Sequence, residues 1–189
     1  MRNKSIILAL SISTLLLAGC STTHYISVEP KAAVENTNLT NERVIKVSTS
    51  TKITNSIGSI KTGLNERADI YTTNDVKESV RESVVTGLRQ LGFTPDQGVL
   101  PAADLQIHIT KMSYTTKVDA LKTVATMDFE LNVVLAAKGQ TYKANFGSQK
   151  VREYGTMPYQ SSIQEDMNEL ASQTVTRLLA DPNIISLLK

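Results

Sequence analysis

The spacing of hydrophobic positions along the chain changes several times, and each period predicts an element. From Asn74 onward, Val76, Val80, Val84, Leu88 and Leu91 fall three or four residues apart, which places all five on one face of a helix. Asp75 and Glu78 stand at capping-box spacing at its start, and Gly92 follows where a left-handed C-terminal residue is favoured. Lys77, Arg81, Glu82 and Arg89 fall elsewhere on the cylinder and read as its solvated face. A second stripe, Ile163, Met167, Leu170, Ala171, Thr174 and Leu178, predicts a C-terminal helix, with Ser162 and Glu165 at capping-box spacing and Asp181-Pro182 as its stop. The last turn, Ile184 to Leu188, is apolar enough to dock.

Between these helices the period is two. Leu105, Ile107 and Ile109 alternate against Gln106, His108 and Thr110, and the parity then slips to Met112 and Tyr114, the mark of a bulge. From Ala125 to Ala137 the alternation is unbroken, and after a tight Lys138-Gly139-Gln140 connection it resumes with Tyr142, Ala144 and Phe146. Three consecutive antiparallel strands are the simplest reading. Upstream, Val44, Ile45 and Val47 open a β-branched strand running to Thr51, and short apolar pairs between Ile53 and Thr73 predict one or two more. Each strand pairs an apolar face with a polar one, so the sheet should be covered by helices on one side and wet on the other. The expected fold is α+β: a two-layer sandwich with a mostly antiparallel sheet and two helices packed on one face, in a single domain over residues 43–189.

The first twenty residues follow another logic. Arg2 and Lys4 precede an apolar run from Ile6 to Leu17, the anatomy of a secretory signal. A dozen helical residues rise about 18 Å, short of the roughly 30 Å a spanning helix must cross. The run closes in Leu17-Ala18-Gly19-Cys20, which resembles the bacterial lipobox. That resemblance implies cleavage after Gly19 (residues 1–19 as signal peptide), a diacylglycerol on the Cys20 thiol and acylation of the new amine. Two or three chains together anchor a protein stably where one does not. Ser21 in place of Asp after the Cys implies the outer membrane, with the domain facing the periplasm. Residues 20–42 are rich in Ser, Thr, Asn and Glu and read as the lipidated Cys followed by a flexible tether, about 25 Å in root-mean-square span. His24 to Val28 could pair as a short edge strand. The sequon Asn38-Leu39-Thr40 is read as coincidence in a bacterial chain.

The element order, the lipobox and the segments Ala103–Ile107, Leu131–Ala137 and Gln140–Ala144 resemble the YajG-type family of small bacterial lipoproteins. The likeness is one of pattern and order. It implies fold and location, and it carries over no functional residue except the lipidated Cys20.

Composition narrows the chemistry. The 189 residues include one Cys and two His, which excludes an intrachain disulfide framework and thiolate-rich zinc sites. The formal charge of +2 comes from 20 basic against 18 acidic residues; Arg2 and Lys4 leave with the signal, so the mature chain is balanced. No basic patch with interleaved aromatics points to nucleic acid. No Gly-x-Ser-x-Gly elbow or phosphate loop is present, His108 is the one plausible base, and no cofactor is implied. Asp128 and Glu130 share a strand face, as a carboxylate pair for acid-base work would, but a cross-strand charge pattern explains them better. The candidate partner contact is the loop before the last helix, with Tyr154, Met157, Pro158 and Tyr159, side chains favoured as interface anchors. The Lys117–Lys122 tip is a second candidate. The expectation is a non-catalytic, lipid-anchored envelope protein that binds or supports another envelope component; the alternative is a cell-wall-related hydrolase or small-ligand-binding protein.

Overall fold

The computed structural model describes residues 23–36, 43–61, 67–96, 100–119, 121–155 and 157–189. The signal peptide, Cys20 and the Asn38 sequon lie outside the described residues. Eight strands form one sheet: β1 (His24–Ile26), β2 (Val44–Thr51), β3 (Ser56–Lys61), β4 (Arg67–Thr72), β5 (Thr94–Pro95), β6 (Ala103–Asp119), β7 (Lys122–Ala137) and β8 (Gln140–Tyr154). Among the described residues three helices accompany it: α1 (Val76–Gln90) between β4 and β5, and α2 (Gln160–Leu179) and α3 (Pro182–Leu188) after β8.

β6 is the spine. One edge pairs with β7 along its whole length, and β7 pairs in turn with β8, giving the expected antiparallel meander. The other edge is shared end to end by two strands, both parallel to β6. β2 takes the first half, from Ile45 opposite Ala103 to Thr51 opposite Ile109, and β3 takes the second, with Gly58 opposite Tyr114. The register shift expected from the parity slip falls at Ile109/Lys111, between the two stretches. At Gly58 the β3 backbone, at φ +153°, comes so close to β6 that a Cβ would stand 1.7 Å from the Tyr114 carbonyl oxygen. The β7–β8 turn uses Lys138 and Gly139, both at positive φ, as a two-residue hairpin requires.

The expectation of a mostly antiparallel sheet with two helices is therefore wrong. The sheet is mixed, because β1 pairs parallel to β4, β2 parallel to both β5 and β6, and β3 parallel to β6. Alternation reports which face of a strand is buried and says nothing of its direction. Direction follows from the connection, and the segment between β2 and β6, with a hairpin and a helix inside it, is long enough for a crossover. The third helix, α3, is the segment expected only to dock. Asp181 ends α2 and then caps α3 by accepting from the Asn183 and Ile184 N–H groups, with Ile184 and Leu188 buried.

The core lies between the sheet and the helices. It contains Ile45, Val47, Leu105, Ile107, Ile109, Met127, Phe129, Leu131 and Val133 from the strands, and Val80, Val84 and Leu88 from α1. All six residues of the predicted α2 stripe are buried in it. Asp75 caps α1 by accepting from the Lys77 and Glu78 N–H groups, as its spacing predicts. α2 instead begins two residues before Ser162, with Tyr159 in the capping position and no side-chain cap.

The described part of the expected flexible tether is docked. β1 pairs with β4 at the edge of the sheet, and the chain after it runs extended along α2. The N–H groups of Tyr25, Ser27, Glu29, Lys31 and Ala33 donate in turn to the side chains of Gln160, Gln164, Asn168, Ser172 and Thr176. The match is one of periods: two extended residues advance about 6 to 7 Å and four helical residues about 6 Å. From the other side, Val28 exchanges both backbone bonds with the Asn74 side chain, and the Ala32 N–H donates to Ser83 Oγ on α1. Residues 27–33 thus form a strap held between α1 and α2.

Candidate functional site

The loop before α2 rests on a buried charge. Lys150, Arg152 and Tyr154 are alternate residues of β8, so all three point toward α2, where Asp166 is fully buried. Asp166 accepts from Lys150 Nζ at 2.9 Å, Arg152 Nη1 at 2.7 Å and the Tyr154 hydroxyl at 2.5 Å. Burial alone would raise its carboxyl, but the bonds from Tyr154, Lys150 and Arg152 outweigh that and hold it below the usual range. Burial, then the bond to Asp166, pushes the Tyr154 phenol up. Beneath it Tyr114 is fully buried, faces Tyr154 without closing a hydrogen bond, and is pushed by burial up to about 12. The Arg152 guanidinium lies over the Tyr154 ring, 5.3 Å from its centroid.

The four predicted contact residues therefore separate. Tyr154 is committed to Asp166 and Pro158 is buried, whereas Tyr159 is 75% and Met157 38% exposed. Tyr25, which donates its N–H to Gln160, is exposed nearby and stacks on Tyr71 with ring centroids 6.0 Å apart. The second candidate, the β6–β7 hairpin end, exposes Val118 and, at 92%, Leu121. It belongs to the same end of the molecule, since Thr123 pairs with Tyr154.

The open face of the sheet carries the other candidates. His108 is exposed, and its Nδ1 meets Ser50 Oγ on the neighbouring strand. Asn132 is its register partner on the other side. A hydroxyl beside an imidazole is the start of a nucleophile and base, but an Asn amide lacks the charge that stabilises an imidazolium. Asp128 and Glu130 share a face as expected and are bridged by Lys111 Nζ, at 3.1 Å and 3.7 Å. Ser113 and Gln149 also donate to Asp128. That is the cross-strand charge pattern, with the carboxylates already paired. Among the described residues no group of three His, Cys, Asp or Glu side chains is placed to hold a metal ion. Among them too, no helix is long and apolar enough to cross a membrane.

Two features were missed in the sequence. The uncharged polar row Gln160, Gln164, Asn168, Ser172 and Thr176 recurs every fourth residue, a stripe that could have announced a backbone lying along the helix. Asp166 sits inside the apolar stripe of α2 next to Met167, and a carboxylate there signals a buried cationic partner.

A family model described as "Uncharacterized lipoprotein" matches residues 30–189. No curated protein sequence matches the chain. Among solved structures, a Xanthomonas campestris protein superposes with a TM-score of 0.57 at 12% identity, over 88% of this chain and 95% of its own. A Helicobacter pylori protein, described as a neuraminyllactose-binding hemagglutinin homologue, gives a TM-score of 0.52 at 10% identity, over 82% and 91%. At these identities the likeness is one of fold.

Proposed function

The chain belongs to this family of uncharacterized lipoproteins, and from that premise we propose that it is anchored to the outer membrane through acylated Cys20 and acts there by binding an envelope partner rather than by catalysis. The signal run, the lipobox-like tetrad and Ser21 support the anchor and its membrane. The narrower likeness to YajG-type lipoproteins belongs to the same proposal.

Exposed Tyr159 carries the binding reading. A large amphipathic side chain stands in solvent at the rim of a loop whose base is fixed by Asp166, so it presents contact area with little left to order on association. Two measurements test this. Palmitate labels the wild type and not Cys20→Ala, and label surviving the substitution removes the anchor. A photo-crosslinking residue at position 159 traps one discrete envelope protein in cells, and a blank there removes the loop as the binding site.

The Ser50–His108 contact favours one second reading, a cell-wall hydrolase. Turnover of a peptidoglycan fragment that disappears in both Ser50→Ala and His108→Ala would establish it against the binding role.

A further inference from the structure

The docked strap limits how far the domain can stand from its anchor. His24, the first residue of β1, is only four positions along the chain from Cys20, a reach of about 14 Å at most. β1 is parallel to β4, β4 antiparallel to β3, and β3 parallel to β6, so the chain enters β1 from the side of the β6–β7 hairpin end. Along the ladder His24 is level with Ile70, Gly58 and Tyr114. The hairpin end at Asp119 is five residues further, about 17 Å. The opposite end, at Ala103, lies about 36 Å the other way, beyond any reach of the anchor.

The hairpin end also has the surface for a bilayer. Val118 and Leu121 expose apolar side chains to solvent, with Lys117 and Lys122 beside them and Lys61 at the end of β3 close by. Apolar side chains ringed by lysines suit the boundary between acyl chains and phosphate headgroups. Asp119 and Glu153 also lie there, and Glu153 is paired with Lys122. The flat open face has the opposite character, with Asp128, Glu130, Asn132, Lys143 and Asn145.

We propose that the β6–β7 hairpin end, through Val118 and Leu121, inserts into the headgroup region of the bilayer that holds acylated Cys20, so that the domain stands end-on upon it. This rests on the anchor proposed above, and the test separates the two. The chain has no Trp, so a single indole reports its own position. Acylated Leu121→Trp and, as the far-end control, Ser186→Trp are placed in phosphatidylethanolamine/phosphatidylglycerol vesicles with brominated acyl chains. Ser186 is exposed beyond the end of α2, itself about 30 Å long. Acylation is read by intact mass on the same samples. The expected result is a blue-shifted indole at position 121 that loses most of its emission to bromine, and an indole at 186 that loses none. Acylated protein with no quenching at 121 overturns the insertion and leaves the anchor standing. Protein that carries no acyl chain overturns both. An indole at 121 that shifts only in native outer-membrane fragments, and not in lipid vesicles, overturns the insertion and assigns the hairpin end to a protein.

Discussion

Asp166 ties α2 to β8 through three side chains at once, Lys150, Arg152 and Tyr154. A carboxylate without solvent contact is costly unless its partners offset the lost hydration, and here two cations and a phenol do so. Lys150 and Arg152 are partly exposed and can turn to water if the carboxylate is removed, and Tyr154 is itself only partly buried. Asp166→Asn should therefore cost about 2–4 kcal/mol at neutral pH, less than leaving two buried cations unpaired. Its pH dependence has a fixed sign. The folded carboxyl lies below the ordinary value of 3.8, so its contribution is present above that value and is lost as pH falls through the depressed folded one. Urea midpoints of wild type and Asp166→Asn should differ most at pH 7 and converge below about pH 3.8. A gap that stays constant down to pH 2 would mean that Asp166 does not carry the acid sensitivity. His24 adds a dependence of the same direction at higher pH. Burial lowers its imidazole below 6.5, so below that value the unfolded chain binds the extra proton and stability falls with acid.

At the scale of elements, the strap depends on α2 for its backbone partners. An extended segment has no partner for its N–H groups, and α2 supplies one every fourth residue. Asn168 does this twice, accepting from the Glu29 N–H and donating to the Ser27 carbonyl. Asn168→Ala should cost about 1–2 kcal/mol. Amide exchange should accelerate at residues 27–31 and stay unchanged in β6 and β7; equal acceleration throughout would make the strap inseparable from global unfolding. Much at this scale was legible in the sequence. The helix at Val76, the meander, the bulge after Ile109 and the stripe of α2 all follow from apolar spacing, because burial is what that spacing encodes. Parallel pairing was not legible, because β2 and β3 reach the same edge of β6 only through tertiary packing. The capping box at Ser162 failed for a related reason: the chain before it is already ordered by buried Pro158, and the helix starts at Gln160 without a side-chain cap.

For the whole molecule, the strap changes what kind of lipoprotein this is. A free tether from residue 20 to 42 would let the domain wander about 25 Å from the proposed lipid anchor, and any partner surface could face any direction. With the proposed anchor at Cys20, a docked strap would give the domain one end near the bilayer and one away from it. The candidate site was half legible for the same reason. Aromatic composition picked out Tyr154, Met157, Pro158 and Tyr159, but exposure is a property of the assembled fold, and it divided Tyr159 from Tyr154 and Pro158. Lys31 provides a direct measure of the strap. Its side chain is exposed and suits trypsin, yet its N–H is bonded to Ser172 and the next N–H to Ser83. Cleavage of a docked segment requires opening first, so the rate tracks the open population. The Lys31–Ala32 bond should therefore survive trypsin under native conditions and be cut at a rate that rises with urea. Asn168→Ala should shift that rise to lower urea. Cleavage within the first minutes, leaving the far-UV circular dichroism intact, would return residues 24–36 to a free tether and remove the limit on the reach of Cys20.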